Sequence, residues 1–168
     1  MNETIKNILN RKSINIFQDK PIAKEDLDLL LKAAMAAPTG SDLRPWRFIV
    51  VTDKKMLIKI SEALKSTEKI KGNSAAILIC GDSSKSERFW TFDCSLAAEN
   101  IMIAAQSIGI GSHWISIRPN KERTDNIKEI FNFPDSIKPL CAIALGYSDQ
   151  DTVPKDKFDY ANVHWEKW

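Results

Sequence analysis

The sequence predicts one domain in which α-helices and β-strands are intermixed. Long segments repeat apolar residues at the spacing of a helix face, and shorter continuous apolar runs lie between them. A chain of 168 residues with 43% hydrophobic content is enough for one sizeable core. We find no linker, internal repeat or low-complexity segment. Residues 1–168 are therefore expected to form a single domain.

Five segments have helical periodicity. Glycine and proline end two of them, because Pro38 and Gly40 follow the second and Gly109 and Gly111 follow the fourth. The fourth has little polar face around Leu96 to Ala105, which indicates burial on most sides, in the core or against a partner. The predicted helices lie near residues 3–11 and at 24–36, 54–64, 89–108 and 123–131.

Four shorter apolar runs predict strands between these helices. The run AAILIC is apolar throughout, as expected of a strand buried on both faces. The remaining tail, from Gly146 to Trp168, has no clear period and ends in aromatic residues. The predicted strands are 47–52, 75–80, 113–117 and 140–145.

Charge and hydropathy exclude several classes of protein. The net charge of +2 arises from nearly balanced acids and bases, so we expect neither a nucleic-acid surface nor a polybasic membrane anchor. No apolar run is long enough to span a bilayer, and the N-terminus MNETIKNILNRK lacks the apolar core of a signal peptide. These features predict a cytoplasmic protein. A small anionic ligand remains compatible with the charge.

Metal and disulfide chemistry are not indicated. Cys80, Cys94 and Cys141 are widely separated among apolar neighbours, so we expect buried thiols. His113 and His164 lie far apart, and neither belongs to a cluster with the spacing of metal ligands. We therefore predict no metal site.

The first stretch that could carry chemistry is Arg11, Lys12 and Ser13 in RKSINIF. A guanidinium fork, a point charge and a hydroxyl donor together suit a phosphate dianion. The alternative is that these bases only complement the dipole at the end of a helix. Taken alone, the three residues do not decide between the two.

Three further stretches allow a functional or a purely structural interpretation. PTGSDLRPWRF (38–48) concentrates turn formers before a strand and could be an ordinary loop that ends a helix. GIGSHW (109–114) could be a helix C-cap and tight turn. It is not a dinucleotide fingerprint, because its glycines follow a helix and precede a strand. The fourth stretch, VPKDKFDYANVHW (153–165), contains Lys155 and Lys157.

Taken in order, these stretches resemble the FMN-dependent nitroreductase family over nearly the whole chain. The resemblance rests on RKSINIF, PTGSDLRPWRFIVV, DCSLAAENIMIAAQSIGIGSHWI, FPDSIKPLCAIALGY and a lysine-containing tail that ends in HWEKW. It implies an α+β fold with a central, mostly antiparallel sheet flanked by helices. It also implies an intertwined homodimer with two FMN sites at the interface and the long helix as the main dimer contact.

The resemblance also assigns candidate residues for FMN. Arg11, Lys12 and Ser13 would face the phosphate and ribityl chain, and Lys155 or Lys157 would reach the phosphate from the tail. A loop would approach the flavin from the other subunit, and a turn would lie beside the isoalloxazine. The loop residues are Thr39, Gly40 and Asp42, and the turn residues are Gly111 and Ser112. By the same resemblance, Asn15 would lie near the flavin's N1 and C2=O.

The chain departs from the common family pattern at three positions. Asp42 replaces an Asn and Arg44 replaces a Gln. An ionised Asp42 accepts but cannot donate a hydrogen bond, so either Arg44 neutralises it or it meets a donor such as flavin N3–H. Asn15 stands where many relatives carry Arg or Lys, which predicts a lower flavin potential than in those relatives.

The resemblance implies an NAD(P)H-dependent reductase. NADH or NADPH would give a hydride to the flavin and leave, and a small oxidant such as a nitroaromatic or quinone would then take the electrons in the same pocket. The flavin carries the chemistry, so no catalytic acid or base from the chain is expected. The alternative is a flavin-binding or storage protein with little turnover. A globular interaction domain without cofactor leaves the basic residues unexplained.

Overall fold

The computed structural model describes residues 1–66, 72–150 and 153–168, and a four-stranded sheet lies at its centre. The strand order is β1-β2-β4-β3, and every neighbouring pair is antiparallel. This arrangement confirms the predicted α+β fold. The strands are β1 (Trp46–Val51), β2 (Ala75–Asp82), β3 (Gly111–Ser116) and β4 (Ile137–Gly146).

Side chains cap three of the helices that flank the sheet. Asn2, Asp53 and Asn120 each accept a hydrogen bond from a backbone N–H of the first turn, at 3.0, 2.9 and 3.0 Å. These caps explain where the helices begin. The helices are α1 (Glu3–Asn10), α2 (Lys24–Met35), α3 (Lys54–Ala63), α4 (Trp90–Ser107) and α5 (Lys121–Phe131).

The two central strands, β2 and β4, are buried on both faces. Alternate side chains of each strand enter opposite cores, because successive residues of a strand point to opposite faces. Ile77 and Ile143 pack with α2 and α4, whereas Leu78 and Ala142 pack with α3 and α5. The sheet therefore separates two helical layers.

Every predicted helix and strand is present, but some boundaries differ. Gly111 and Ser112 were predicted to form a turn, and they are instead the first residues of β3, paired with Gly146 and Leu145. The strand predicted at 140–145 begins at Ile137. Its first residues include Pro139, which has no N–H donor and lies opposite Cys80 at a register shift of β2.

The long helix α4 was predicted to be buried in the core or against a partner, with Leu96 to Ala105 as the main dimer contact. One side of this stretch is buried in the subunit's own core, including Ala97, Ile101 and Ala105. The dimer contact stays a prediction. The exposed apolar side chains lie nearer its N-terminus, at Phe89, Phe92 and Leu96.

The three cysteines are free and buried, as predicted. Burial raises the pKa of the Cys80 and Cys94 thiols to about 12 and that of Cys141 well above its usual value. They are therefore protonated core residues at neutral pH.

Within residues 1–66, 72–150 and 153–168, none of the helices combines the length and apolar character needed to cross a bilayer.

Gly111 lies where a segment that follows α1 approaches β3. A Cβ added to it would lie 2.8 Å from Ile14 Cγ1 and 3.1 Å from the carbonyl oxygen of Gly146. By contrast, a Cβ on Gly72 would come no closer than 3.4 Å to another heavy atom, which is ordinary contact.

We predict that Gly111→Ala lowers the free energy of unfolding by about 1–3 kcal/mol, the usual cost of overpacking. Gly72→Ala serves as the control and should remain close to the parent. Urea unfolding monitored by tryptophan fluorescence at one protein concentration measures both changes. Equal stability of the two variants would show that this approach is not tight.

Candidate functional site

The largest concentration of predicted site residues surrounds a cavity of about 860 Å³. One wall is the end of α1 and the segment after it, and the other is the tail. Four basic side chains and one acidic side chain line it, which makes it a basic cavity. The polar lining residues are Arg11, Lys12, Ser13, Asn15, Lys155, Asp156 and Lys157.

Arg11 is held by α1 and faces α4. It is the C-cap of α1, and its backbone N–H donates to the carbonyl oxygen of Asn7 at 3.0 Å. Its Nε lies 3.7 Å from Glu99 Oε1, and its side chain is only 18% exposed. The side chain is therefore mostly buried, with one acidic neighbour on α4.

The segment after Arg11 runs beside the outer edge of β3. Ser13 and Ser112 form a parallel bridge, and the N–H of Ile14 donates to the carbonyl oxygen of Ser112 at 3.0 Å. His113 Nδ1 lies 3.1 Å from the carbonyl oxygen of Ile14. These contacts attach the basic segment to the residues at the start of β3.

A second set of contacts attaches the same segment to the chain after β4. The N–H of Asn15 donates to Gln150 Oε1 at 3.1 Å, and Ser148 Oγ donates to the carbonyl oxygen of Ile16 at 2.6 Å. Sequence reasoning missed His113, Gln150 and Ser148 in this role. Each acts through one hydrogen bond to a distant segment, which leaves no local pattern.

The loop after α2 contains a 3₁₀ turn, Gly40–Asp42. Three of its non-glycine residues are left-handed: Ser41 has φ 52°, Asp42 has φ 56° and Arg44 has φ 49°. Thr39 stabilises the turn, because its carbonyl oxygen accepts from the N–H of Asp42 at 3.1 Å and its Oγ1 accepts from the N–H of Arg44 at 3.2 Å.

Asp42 and Arg44 form a bidentate ion pair. Arg44 Nε and Nη2 donate to Asp42 Oδ1 and Oδ2 at 2.7 and 2.6 Å. The hydrogen bonds from the guanidinium lower the pKa of Asp42, and the same bonds raise the pKa of Arg44. Of the two partners considered for Asp42, the one found within the chain is Arg44.

The structure thus brings together most, but not all, of the predicted residues. Arg11, Lys12, Ser13, Asn15, Lys155 and Lys157 share the basic cavity. Gly111 and Ser112 are joined to it through the strand bridge. Thr39, Gly40 and Asp42 do not line it. Their nearest support is α4, where Asp93 Oδ1 accepts the N–H of Gly40 at 3.0 Å.

No three histidine, cysteine or acidic side chains group as metal ligands in the part of the chain that the structure describes.

Comparison with known proteins assigns the family. The model of the "Nitroreductase family" matches residues 8–91 and 71–147. An Archaeoglobus fulgidus protein named "Putative NADH dehydrogenase/NAD(P)H nitroreductase" is 39% identical over 174 residues, which cover 100% of both chains. A crystal structure of a protein of the same name from Parabacteroides distasonis is 40% identical, covers 100% of both chains and has a TM-score of 0.97. The structure of an "FMN-dependent Nitroreductase" from Clostridium difficile is 34% identical, with 98% of this chain and 99% of that chain covered and a TM-score of 0.91. The chain belongs to the nitroreductase family.

Proposed function

We propose that the chain is an FMN-dependent NAD(P)H oxidoreductase and that the basic cavity holds the phosphate end of FMN. The observation that carries this proposal is the meeting of Arg11, Lys12 and Ser13 with Lys155 and Lys157 around one cavity. A phosphate dianion needs charge-assisted donors, and guanidinium, ammonium and hydroxyl groups provide them. A dipole-complementing role for Arg11 and Lys12 alone does not explain the lysines of the tail.

The cavity also suits the rest of such a ligand. Its volume of about 860 Å³ lies in the usual range for small-molecule sites. Apolar side chains contribute to the lining beside the basic ones, among them Ile8, Leu9 and Phe158. Gly111 and Ser112 adjoin the same segment and are proposed to lie beside the isoalloxazine. The chemistry that FMN supplies when bound is hydride acceptance from a reduced nicotinamide and electron transfer to an oxidant.

The names of the relatives support the choice of substrates. One relative is named "Putative NADH dehydrogenase/NAD(P)H nitroreductase", and another is named "FMN-dependent Nitroreductase". We therefore assign NADH or NADPH as the reductant and a nitroaromatic, quinone or related small molecule as the oxidant. Both substrates would use one site in turn, which is a ping-pong cycle.

A homodimer would complete the site. The loop with Thr39, Gly40 and Asp42 does not line its own subunit's cavity, so it is available to the cavity of a second copy. Phe92 and Leu96 of α4 are 66% and 46% exposed, and Trp165 in the tail is 79% exposed. Phe92 and Leu96 are one helical turn apart on α4, and contiguous exposed apolar side chains are typical of interaction sites. A tail that crosses to the partner would make the dimer intertwined.

We predict that the protein purifies yellow and that Arg11→Ala weakens FMN binding about 10- to 150-fold, the equivalent of roughly 1.5–3 kcal/mol for a charge-assisted contact. Lys59→Ala is the control, because it removes one exposed positive charge from α3, remote from the cavity. Fluorescence titration of the apoprotein with FMN measures both variants. Colourless protein that gains no flavin on reconstitution would rule out the proposal.

A kinetic experiment separates the reductase from a flavin-storage protein. We expect anaerobic stopped-flow mixing with NADH or NADPH to bleach the flavin absorbance. Initial rates at several oxidant concentrations should then give parallel double-reciprocal lines. Tight, stoichiometric FMN binding without bleaching within minutes would replace the reductase by the storage alternative. Intersecting lines would exclude the ping-pong cycle only.

We predict that Phe92→Glu converts the dimer to a monomer and releases FMN. The side chain is exposed in the subunit, so the change leaves the core intact but places a charge in the proposed interface. Ile58→Glu is the matched control, because Ile58 is also exposed, at 44%, but lies on α3 across the sheet. Sedimentation velocity at micromolar concentration measures both. A flavin-loaded monomer of the parent protein would contradict the dimer proposal.

A further inference from the structure

Asp93 is a buried carboxyl at the start of α4, where an acidic residue that complements the helix dipole is usually exposed to solvent. It lies in the first turn of the helix and is 3% exposed. Oδ1 accepts the N–H of Gly40 at 3.0 Å, whereas Oδ2 is buried without a hydrogen-bond partner among the described residues. A buried polar atom without a partner is costly. The contact that Oδ1 makes should therefore matter enough to keep a carboxyl at this position.

The loop that Asp93 contacts is strained. Ser41, Asp42 and Arg44 all have positive φ, which side chains other than glycine rarely adopt. Such conformations persist only where the surroundings determine them. The loop's own hydrogen bonds join Thr39 to Asp42 and Arg44, and join Gly40 to Leu43. These bonds link the loop residues to one another. From β1, Arg47 Nη1 also donates to the carbonyl oxygen of Arg44, at 3.4 Å.

The Gly40 end of the loop is attached to the start of α4. Besides Asp93, the Phe89 ring lies against Gly40, since a Cβ on that glycine would be 3.3 Å from Phe89 Cδ2. Phe89 and Asp93 are one helical turn apart, and the N–H of Asp93 donates to the carbonyl oxygen of Phe89 at 3.0 Å. The loop therefore rests on one rigid helical turn, through a ring contact and one directional hydrogen bond.

We infer that Asp93 is a positioning residue: its carboxyl fixes the Gly40 N–H and so holds the left-handed 40–44 loop in the conformation that pairs Asp42 with Arg44. The loop's structural dependence on Asp93 follows from the contacts above. That the loop then presents this pair to the flavin pocket of a second subunit rests on the proposed function.

Three substitutions of Asp93 test whether its carboxyl acts as the hydrogen-bond acceptor for the Gly40 N–H. Asp93→Asn retains an oxygen that can accept from Gly40, and Asp93→Leu retains a similar branched shape without any acceptor. Asp93→Ala removes the acceptor without adding bulk. If the carboxyl acts as an acceptor, Asn should preserve the loop, and Leu and Ala should both release it.

Hydrogen exchange measured by mass spectrometry tests this on the full chain, with and without added FMN. The peptide that covers residues 38–45 contains the hydrogen-bonded amides of Gly40, Asp42, Leu43 and Arg44. We expect exchange in this peptide to be about tenfold faster in Asp93→Leu and Asp93→Ala, and close to the parent in Asp93→Asn. Peptides from β2 and β4 report whether the core is still protected.

Kinetics of the FMN-loaded enzyme test the functional consequence, because the KM for the oxidant and the rate of flavin bleaching by NADH should change by different factors. Asp93→Leu should raise the KM for the oxidant more than it lowers the rate of flavin bleaching by NADH, and Asp93→Asn should restore the KM. A merely structural defect would change both constants together and lower core protection.

The outcomes for the two proposals are distinguishable. If parent protein binds no FMN or is not bleached by either nucleotide, the proposed function fails, but the exchange comparison remains valid. If Asp93→Ala leaves exchange in residues 38–45 unchanged with the core intact, the inference is overturned. Exchange of the parent loop at the unprotected rate would overturn it as well. If Asp93→Leu does not fold, Asp93→Ala decides.

Discussion

The burial of β2 and β4 on both faces is the constraint on which the rest of the structure depends. A strand that is apolar on both faces needs a helical layer on each side, and the pairs α2 with α4 and α3 with α5 provide these layers. β2 and β4 each pair with a strand on both sides, so β1 and β3 are the edge strands of the sheet. The outer edge of β3 is where the basic segment attaches.

This attachment connects the fold to the site. An open strand edge presents N–H and C=O groups that need partners, and part of the edge of β3 is occupied by the residues that directly follow Arg11 and Lys12. The edge therefore fixes the basic residues relative to Ser112, and the chain after β4 fixes them on the other side through Gln150. At Gly111, an added Cβ would meet the Ile14 side chain at 2.8 Å and the carbonyl oxygen of Gly146 at 3.1 Å. Backbone pairing thus holds the wall of the cavity that carries Arg11 and Lys12.

Helical periodicity and short apolar runs predicted each α-helix and strand in the described part of the chain, because burial selects apolar residues at positions set by the secondary structure. The boundaries that they missed are those where a residue's local preference differs from its structural role. Pro139 indicates a break, yet it lies at a register shift of the sheet, where a missing donor is tolerated. Gly111 indicates a turn, yet a close backbone approach requires it within a strand.

The site was predictable only in part. Arg11, Lys12 and Ser13 were candidates by chemistry alone, but their meeting with the tail lysines depends on chain topology and was expected only from the family resemblance. Asp93 gave no signal, since a single acidic residue at the start of a helix ordinarily complements its dipole in solvent. Its burial and its bond to a loop 53 residues away in sequence arise from packing between α2 and α4.

The Asp42 and Arg44 pair bears on how such a loop could act on a ligand. An amide at position 42 could offer both a donor and an acceptor, whereas the carboxylate here accepts two hydrogen bonds from Arg44. Because Asp42 and Arg44 neutralise each other, the pair adds no net charge to the loop. Their mutual hydrogen bonds also leave fewer groups of the loop available to a ligand. If the loop faces the flavin as proposed, it contributes shape more than polar recognition. A site that selects by shape discriminates weakly between flat oxidants of similar size.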